Sequence, residues 1–166
     1  MIKNKGFSLV EIIISLAIFS IILFVVISFF LSMNTSNTKT KADREVSENA
    51  KTVLEKIAYE IRSAKSIYTP TSSANQLSLE TSRYLPSGES NTYIDFFLCG
   101  TAICFKQEFK DAVVLTADSV NVTSLVFSQV STGSVPSVQI SLSVNSAIVN
   151  DSSSISLTST ASIRSY

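Results

Sequence analysis

From Ile12 to Leu31 the chain runs 20 residues without a charge. At 1.5 Å of helical rise per residue such a run crosses the ~30 Å hydrocarbon core of a bilayer. It therefore reads as a membrane-spanning helix, and everything else has to be compatible with that. Lys3, Lys5 and Gly6 stand just before the run, and one carboxylate, Glu11, sits at its apolar start. Lys39, Lys41 and Arg44 after it are mixed with Asp43 and Glu45. The excess of uncompensated positive charge ahead of the span favours a cytoplasmic N-terminus and an exported C-terminal part.

A secretory signal would carry its cleavage site beyond the apolar region, at a small-x-small sequence, and none stands out here. The small residue near the start is Gly6, between the basic leader and the apolar run. Cleavage after it would free a new amino terminus at Phe7 and leave the anchor on the mature chain. The residues KGFSLVE resemble the leader-peptidase recognition sequence of the type IV pilin family, with Gly before the cut, Phe first after it and Glu at the fifth mature position. The resemblance implies cleavage at Gly6 and Phe7 and N-methylation of Phe7 by a prepilin peptidase and methyltransferase. It also implies a role for Glu11 in assembly with other pilin or pseudopilin subunits, drawn from the cytoplasmic membrane into a filament.

Glu11 asks for a partner on physical grounds as well. A carboxylate near the bilayer costs up to about 3 kcal/mol at the helix centre and less near the interface. The ammonium freed at Phe7 would lie four residues away, roughly 6 Å along the axis, in the same chain or on an adjacent helix. The other reading is a carboxylate that snorkels to the interface and does nothing specific.

Neither Gly nor Pro occurs from Phe7 to Thr69, which favours one long helix. Its weakest stretch is SMNTSNTKTK, residues 32–41, whose side chains compete for backbone hydrogen bonds. Beyond it Val46, Ala50, Val53, Leu54, Ile57, Ile61 and Ala64 recur at steps of three and four. Glu48, Lys51, Glu55, Lys56, Glu60 and Arg62 fall mostly elsewhere around the helix. The helix is expected to stop before Thr69-Pro70, because a residue ahead of proline is pushed out of helical geometry.

After a polar loop at residues 71–75 the period changes to two. Strands are expected at 76–80, 92–98, 102–109, 112–116, 121–130, 137–149 and 154–163, forming one antiparallel sheet with a wet face and an apolar face for the helix to cover. The fold class is α+β: a long N-terminal helix, membrane-spanning in its first half, packed through its second half on an antiparallel sheet, which is also the pilin layout. The divisions are a leader at 1–6, a membrane or filament-core helix at 7–33, an amphipathic continuation at 34–68 and a β domain at 69–166.

Cys99 and Cys104 bracket Gly100-Thr101-Ala102 between two apolar strands. In a hairpin the two approach closely enough for a disulfide in an oxidising compartment; the other reading is two free, buried thiols. The inventory narrows the chemistry. Histidine is absent, which removes Ser/His/Asp triads, Cys/His nucleophile pairs and Cys/His zinc sites. No enzymatic activity, metal or cofactor is expected. Without Lys3 and Lys5 the 13 basic side chains fall to 11 against 13 acidic ones, so the mature chain has no basic field for nucleic acid.

Within the family, VLEKIAYEIRSAKSI, NVTSLVF and VQISLSV look like minor subunits of the W and J type found in type IV pilus and type II secretion systems. Ser28 stands where many major pilins carry a helix-bending proline, and the cysteines do not bracket a long C-terminal loop, so the expectation is a minor pilin or pseudopilin, with a cell-surface or periplasm-spanning filament as its destination. A reading from another class is a single-span anchored binding or adhesion module that never polymerises.

Overall fold

A computed structural model describes residues 8–70, 73–132, 135–148 and 153–164, without the side chains of residues 34, 35, 37, 38, 73, 131 and 132. The chain divides into two compact units, Met1–Thr40 and Lys41–Tyr166. Helix α1, Leu9–Ser63, contributes to both.

In the first unit α1 begins where Ser8 accepts backbone hydrogen bonds from Glu11 (3.0 Å) and Ile12 (3.3 Å). Leu9–Met33 form a 25-residue stretch of mean hydropathy 3.1, long and apolar enough to cross a membrane. Every described side chain in it is exposed, so the unit itself offers this surface no cover. The hydroxyl of Ser20 donates to the carbonyl of Leu16 at 2.8 Å. Bonded back to the helix in this way, it can enter an apolar medium without an unmet donor.

In the second unit the helix buries the expected stripe. Val46, Ala50, Val53, Leu54, Ile57, Ile61 and Ala64 are all buried, with Ala42 and Ala58 beside them. The strands are β1 (Ser66–Thr69), β2 (Ser73–Ala74), β3 (Gln76–Thr81), β4 (Thr92–Cys99), β5 (Ala102–Gln107), β6 (Val113–Val114), β7 (Val120–Thr132), β8 (Val135–Ser146) and β9 (Ser154–Ser162). All described pairings are antiparallel. They form two sheets, a five-stranded one in the order β1-β3-β4-β5-β6 and a four-stranded one in the order β2-β7-β8-β9.

This corrects the expectation of a single sheet. Alternation tells which side chains are buried, and those are buried as read: Leu77, Leu79, Ile94 and Phe96 in one sheet, Val138, Ile140, Leu142 and Val144 in the other. Alternation does not tell which strand lies beside which. Both inner faces and the helix stripe share one core. Between β1 and β3 the chain visits the second sheet through β2, inside what reads locally as a polar loop. Near the β4–β5 hairpin the sheets are stitched by Val122 N–H donating to the Thr101 carbonyl at 2.8 Å.

The helix also ends earlier than expected, at Ser63, and residues 66–69 are strand. Its last groups find tertiary partners: the Arg62 carbonyl accepts from Arg164 N–H at 3.3 Å, and Lys65 N–H donates to the Glu80 carbonyl at 2.7 Å. With the end satisfied that way, Ser66-Ile67-Tyr68-Thr69 pairs with β3 instead of continuing toward Pro70.

Candidate functional site

Glu11 lies in the first turn of α1 and is exposed. A negative charge is favoured there, by about 0.3–1 kcal/mol at an exposed helix N-terminus. Ser8-Leu9-Val10-Glu11 has the S-x-x-E spacing of a capping box. That spacing is legible in the sequence, and the hydrogen bonds at the helix start are backbone ones, from Glu11 and Ile12 N–H to the Ser8 carbonyl. Gly6 and Phe7, the expected cleavage pair, lie outside the described residues.

Cys99 and Cys104 are joined by a disulfide, Cα to Cα 5.9 Å. The β4–β5 turn makes this possible. Cys99 opposes Ala102 and Cys104 opposes Phe97, so the bridge runs diagonally across the hairpin. Between them Gly100 takes a positive φ of 68° and Thr101 does not. That is the pattern of a two-residue turn with its left-handed residue first, which glycine adopts at no steric cost.

A third feature escaped the sequence reading. Glu60 is 1% exposed, not on the solvated face of the helix. Its Oε1 accepts from the Tyr84 hydroxyl at 2.8 Å and pairs with Lys56 Nζ at 3.2 Å. Its Oε2 pairs with Arg83 Nη1, also at 3.2 Å. Arg83 lies over the rings of Tyr59 (4.8 Å) and Tyr84 (5.2 Å), and Lys56 over Phe105 (5.5 Å). Tyr84 holds a left-handed φ of 62°, a conformation that costs a non-glycine residue about 1–2 kcal/mol and persists only where its surroundings hold it. Burial, and next its hydrogen bond to Glu60, push the Tyr84 phenol above its ordinary value. The signal was present: Val53, Ile57, Glu60 and Ala64 step by four, three and four, which puts Glu60 on the buried stripe.

Further ties join the start of the domain's helix to loops on the four-stranded side. Glu45 accepts from the Ser119 hydroxyl at 2.6 Å, Asn49 Oδ1 accepts from Ala117 N–H at 3.1 Å, and Asp43 accepts from the Ser153 hydroxyl. These contacts and the Glu60 cluster fasten loops to the helix. Among the described residues no three His, Cys, Asp or Glu side chains come together as metal ligands.

One described helical stretch long and apolar enough to cross a membrane, together with a separately cored α+β unit, is the make-up of a membrane-anchored, single-pass protein. Residues 1–27 match the prokaryotic N-terminal methylation motif. That segment is similar to the N-terminus of type IV pilins and pseudopilins, and the long helix on antiparallel sheets has the pilin-like layout. No curated protein and no solved structure matches it.

Proposed function

We propose that the chain is a structural subunit, a minor pilin or pseudopilin of the W or J type, of a type IV pilus-like or type II secretion filament. It is held in the cytoplasmic membrane with its domain outside, cleaved between Gly6 and Phe7, methylated on Phe7, and assembled with sister subunits through its N-terminal helix. The observation that carries this is the methylation motif over residues 1–27 running directly into the apolar Leu9–Met33 stretch. In lipid that surface faces acyl chains, and in a filament it faces neighbouring helices. It stays dry in both, so transfer from one to the other does not expose it to water.

Intact-mass measurement of the protein purified from membranes tests the processing. The expected species lacks residues 1–6 and carries one added methyl; retention of Met1 refutes the reading. Co-purification with sister subunits after mild cross-linking tests assembly, and a correctly processed chain that is always recovered alone refutes that part.

A further inference from the structure

The outer face of the five-stranded sheet carries a feature that neither anchoring nor filament assembly uses. Tyr68, Gln76, Ser78, Tyr93 and Asp95 line a shallow open pocket of about 430 Å³. Pairing slips between Ile67 and Thr69, so Tyr68 has no partner across from it on β3. Irregularities of this kind re-aim side chains, and here Tyr68 meets Tyr93 edge to face with ring centroids 5.8 Å apart. The rings are largely open to solvent, 69% for Tyr68 and 42% for Tyr93. Packing against the domain's core therefore does not account for them.

The pocket floor is an ordered polar chain. Gln76 Nε2 donates to Ser78 Oγ at 3.2 Å, and Ser78 Oγ donates to Asp95 Oδ1 at 2.5 Å. Ser78 is buried and lines the same pocket as the rings. With Ser78 spending its proton on Asp95, the second carboxylate oxygen and the Gln76 carbonyl are left as acceptors. Lys106 faces Asp95 across β5, yet among the described residues no cation comes within ion-pair distance of that carboxylate. Glu80, opposite Tyr93, accepts from the Ser66 hydroxyl at 2.7 Å.

We propose that this pocket binds a neutral saccharide. A pyranose offers an apolar C–H face to a tyrosine ring and a rim of hydroxyl donors to fixed acceptors such as Asp95 and Gln76, and the floor chain holds those acceptors before any ligand arrives. An organic cation is the other chemistry that aromatic rings and a carboxylate take. In a pocket this open it keeps its water and gains little from the rings.

The test uses the full-length chain in a zwitterionic detergent without sugar headgroups, applied to an immobilised panel of neutral and amino-sugar glycans. Wild type is expected to retain at least one neutral glycan. Tyr68→Ala and Asp95→Asn should each lower retention about ten-fold, the order expected for losing one charge-assisted bond or one stacking ring. Both variants should keep the wild-type thermal transition, because the Tyr68 ring is mostly exposed and an Asn side chain still offers Ser78 an acceptor. Phe109→Ala removes a ring on the same domain that is 81% exposed and should change nothing. Three outcomes overturn the proposal: no glycan retained by wild type, both pocket variants binding as wild type does, or choline displacing the glycan at equal concentration. The result is independent of the filament reading, which intact mass and co-purification with sister subunits test.

Discussion

Replacing Glu60 with Gln should loosen the domain at one identifiable place, the segment after β3 that carries Arg83 and Tyr84. The carboxylate is fully enclosed, whereas the side chains of Lys56 and Arg83 are 41% and 36% exposed. Both cations can return to water when the charge is removed, so the variant does not strand a buried charge and the severe cost of breaking a closed ion pair does not apply. An amide has one acceptor oxygen where the carboxylate has two, and its NH₂ would meet a donor from Arg83, Lys56 or Tyr84. One charge-assisted bond is lost, about 1.5–3 kcal/mol, and another becomes neutral, about 1 kcal/mol weaker, against which the amide is cheaper to bury; the net is about 1–2 kcal/mol. For a unit of this size that lowers the melting temperature by about 3–8 °C. Thermal unfolding of the full-length chain followed by circular dichroism reads the first effect. Limited trypsin digestion reads the second, because Arg83 is itself a cleavage site and should be cut faster once its anchor is weakened. An unchanged melting temperature together with unchanged protection of Arg83 would refute the reasoning.

Thiol labelling under denaturing, non-reducing conditions should leave Cys99 and Cys104 unlabelled, and changing both to Ser should cost about 2 kcal/mol, since so short a loop restricts the unfolded chain only modestly; two labelled thiols would contradict the bridge. The Tyr84 phenol titrates higher in the folded state than its ordinary value of 10.0, so its contribution is fully present below that pH and is lost as the pH rises through the folded value. Melting temperature should therefore fall more steeply above about pH 10 in wild type than in Tyr84→Phe, and parallel curves would count against it. Glu11→Gln should still insert in the membrane, because losing a charge eases insertion, and still form its helix, because Gln is about as good a helix former as Glu. If Glu11 pairs with the Phe7 ammonium of a neighbour in a dry site, the loss is on the order of 3–5 kcal/mol and co-purification with sister subunits should drop; undiminished recovery of sister subunits would rule that pairing out.

What the residues determine alone is what depends on near neighbours along the chain. The apolar run is visible as length and composition, and KGFSLVE as a contiguous motif. The buried stripe from Val46 to Ala64 follows from a period of three to four, and the inward residues of β8 follow from a period of two, because side-chain direction is set by backbone geometry. The hairpin at Gly100 and its bridge are legible for the same reason: the partners are five residues apart.

Tertiary structure decided what depends on distant residues. Nothing near Ser63 announces the helix end, which rests on Arg164 and Glu80. Residues 73–74 become a strand because β7 offers them an edge, and the division into two sheets is a choice of neighbours that alternation leaves open. Glu60 sits inside although it is charged, because Arg83 and Tyr84, more than twenty residues on, come back to meet it. Tyr68 and Tyr93 share a pocket only because β1 and β4 flank β3. A carboxylate at a stripe position reads as solvated until its partners are known, and those partners are supplied by the fold.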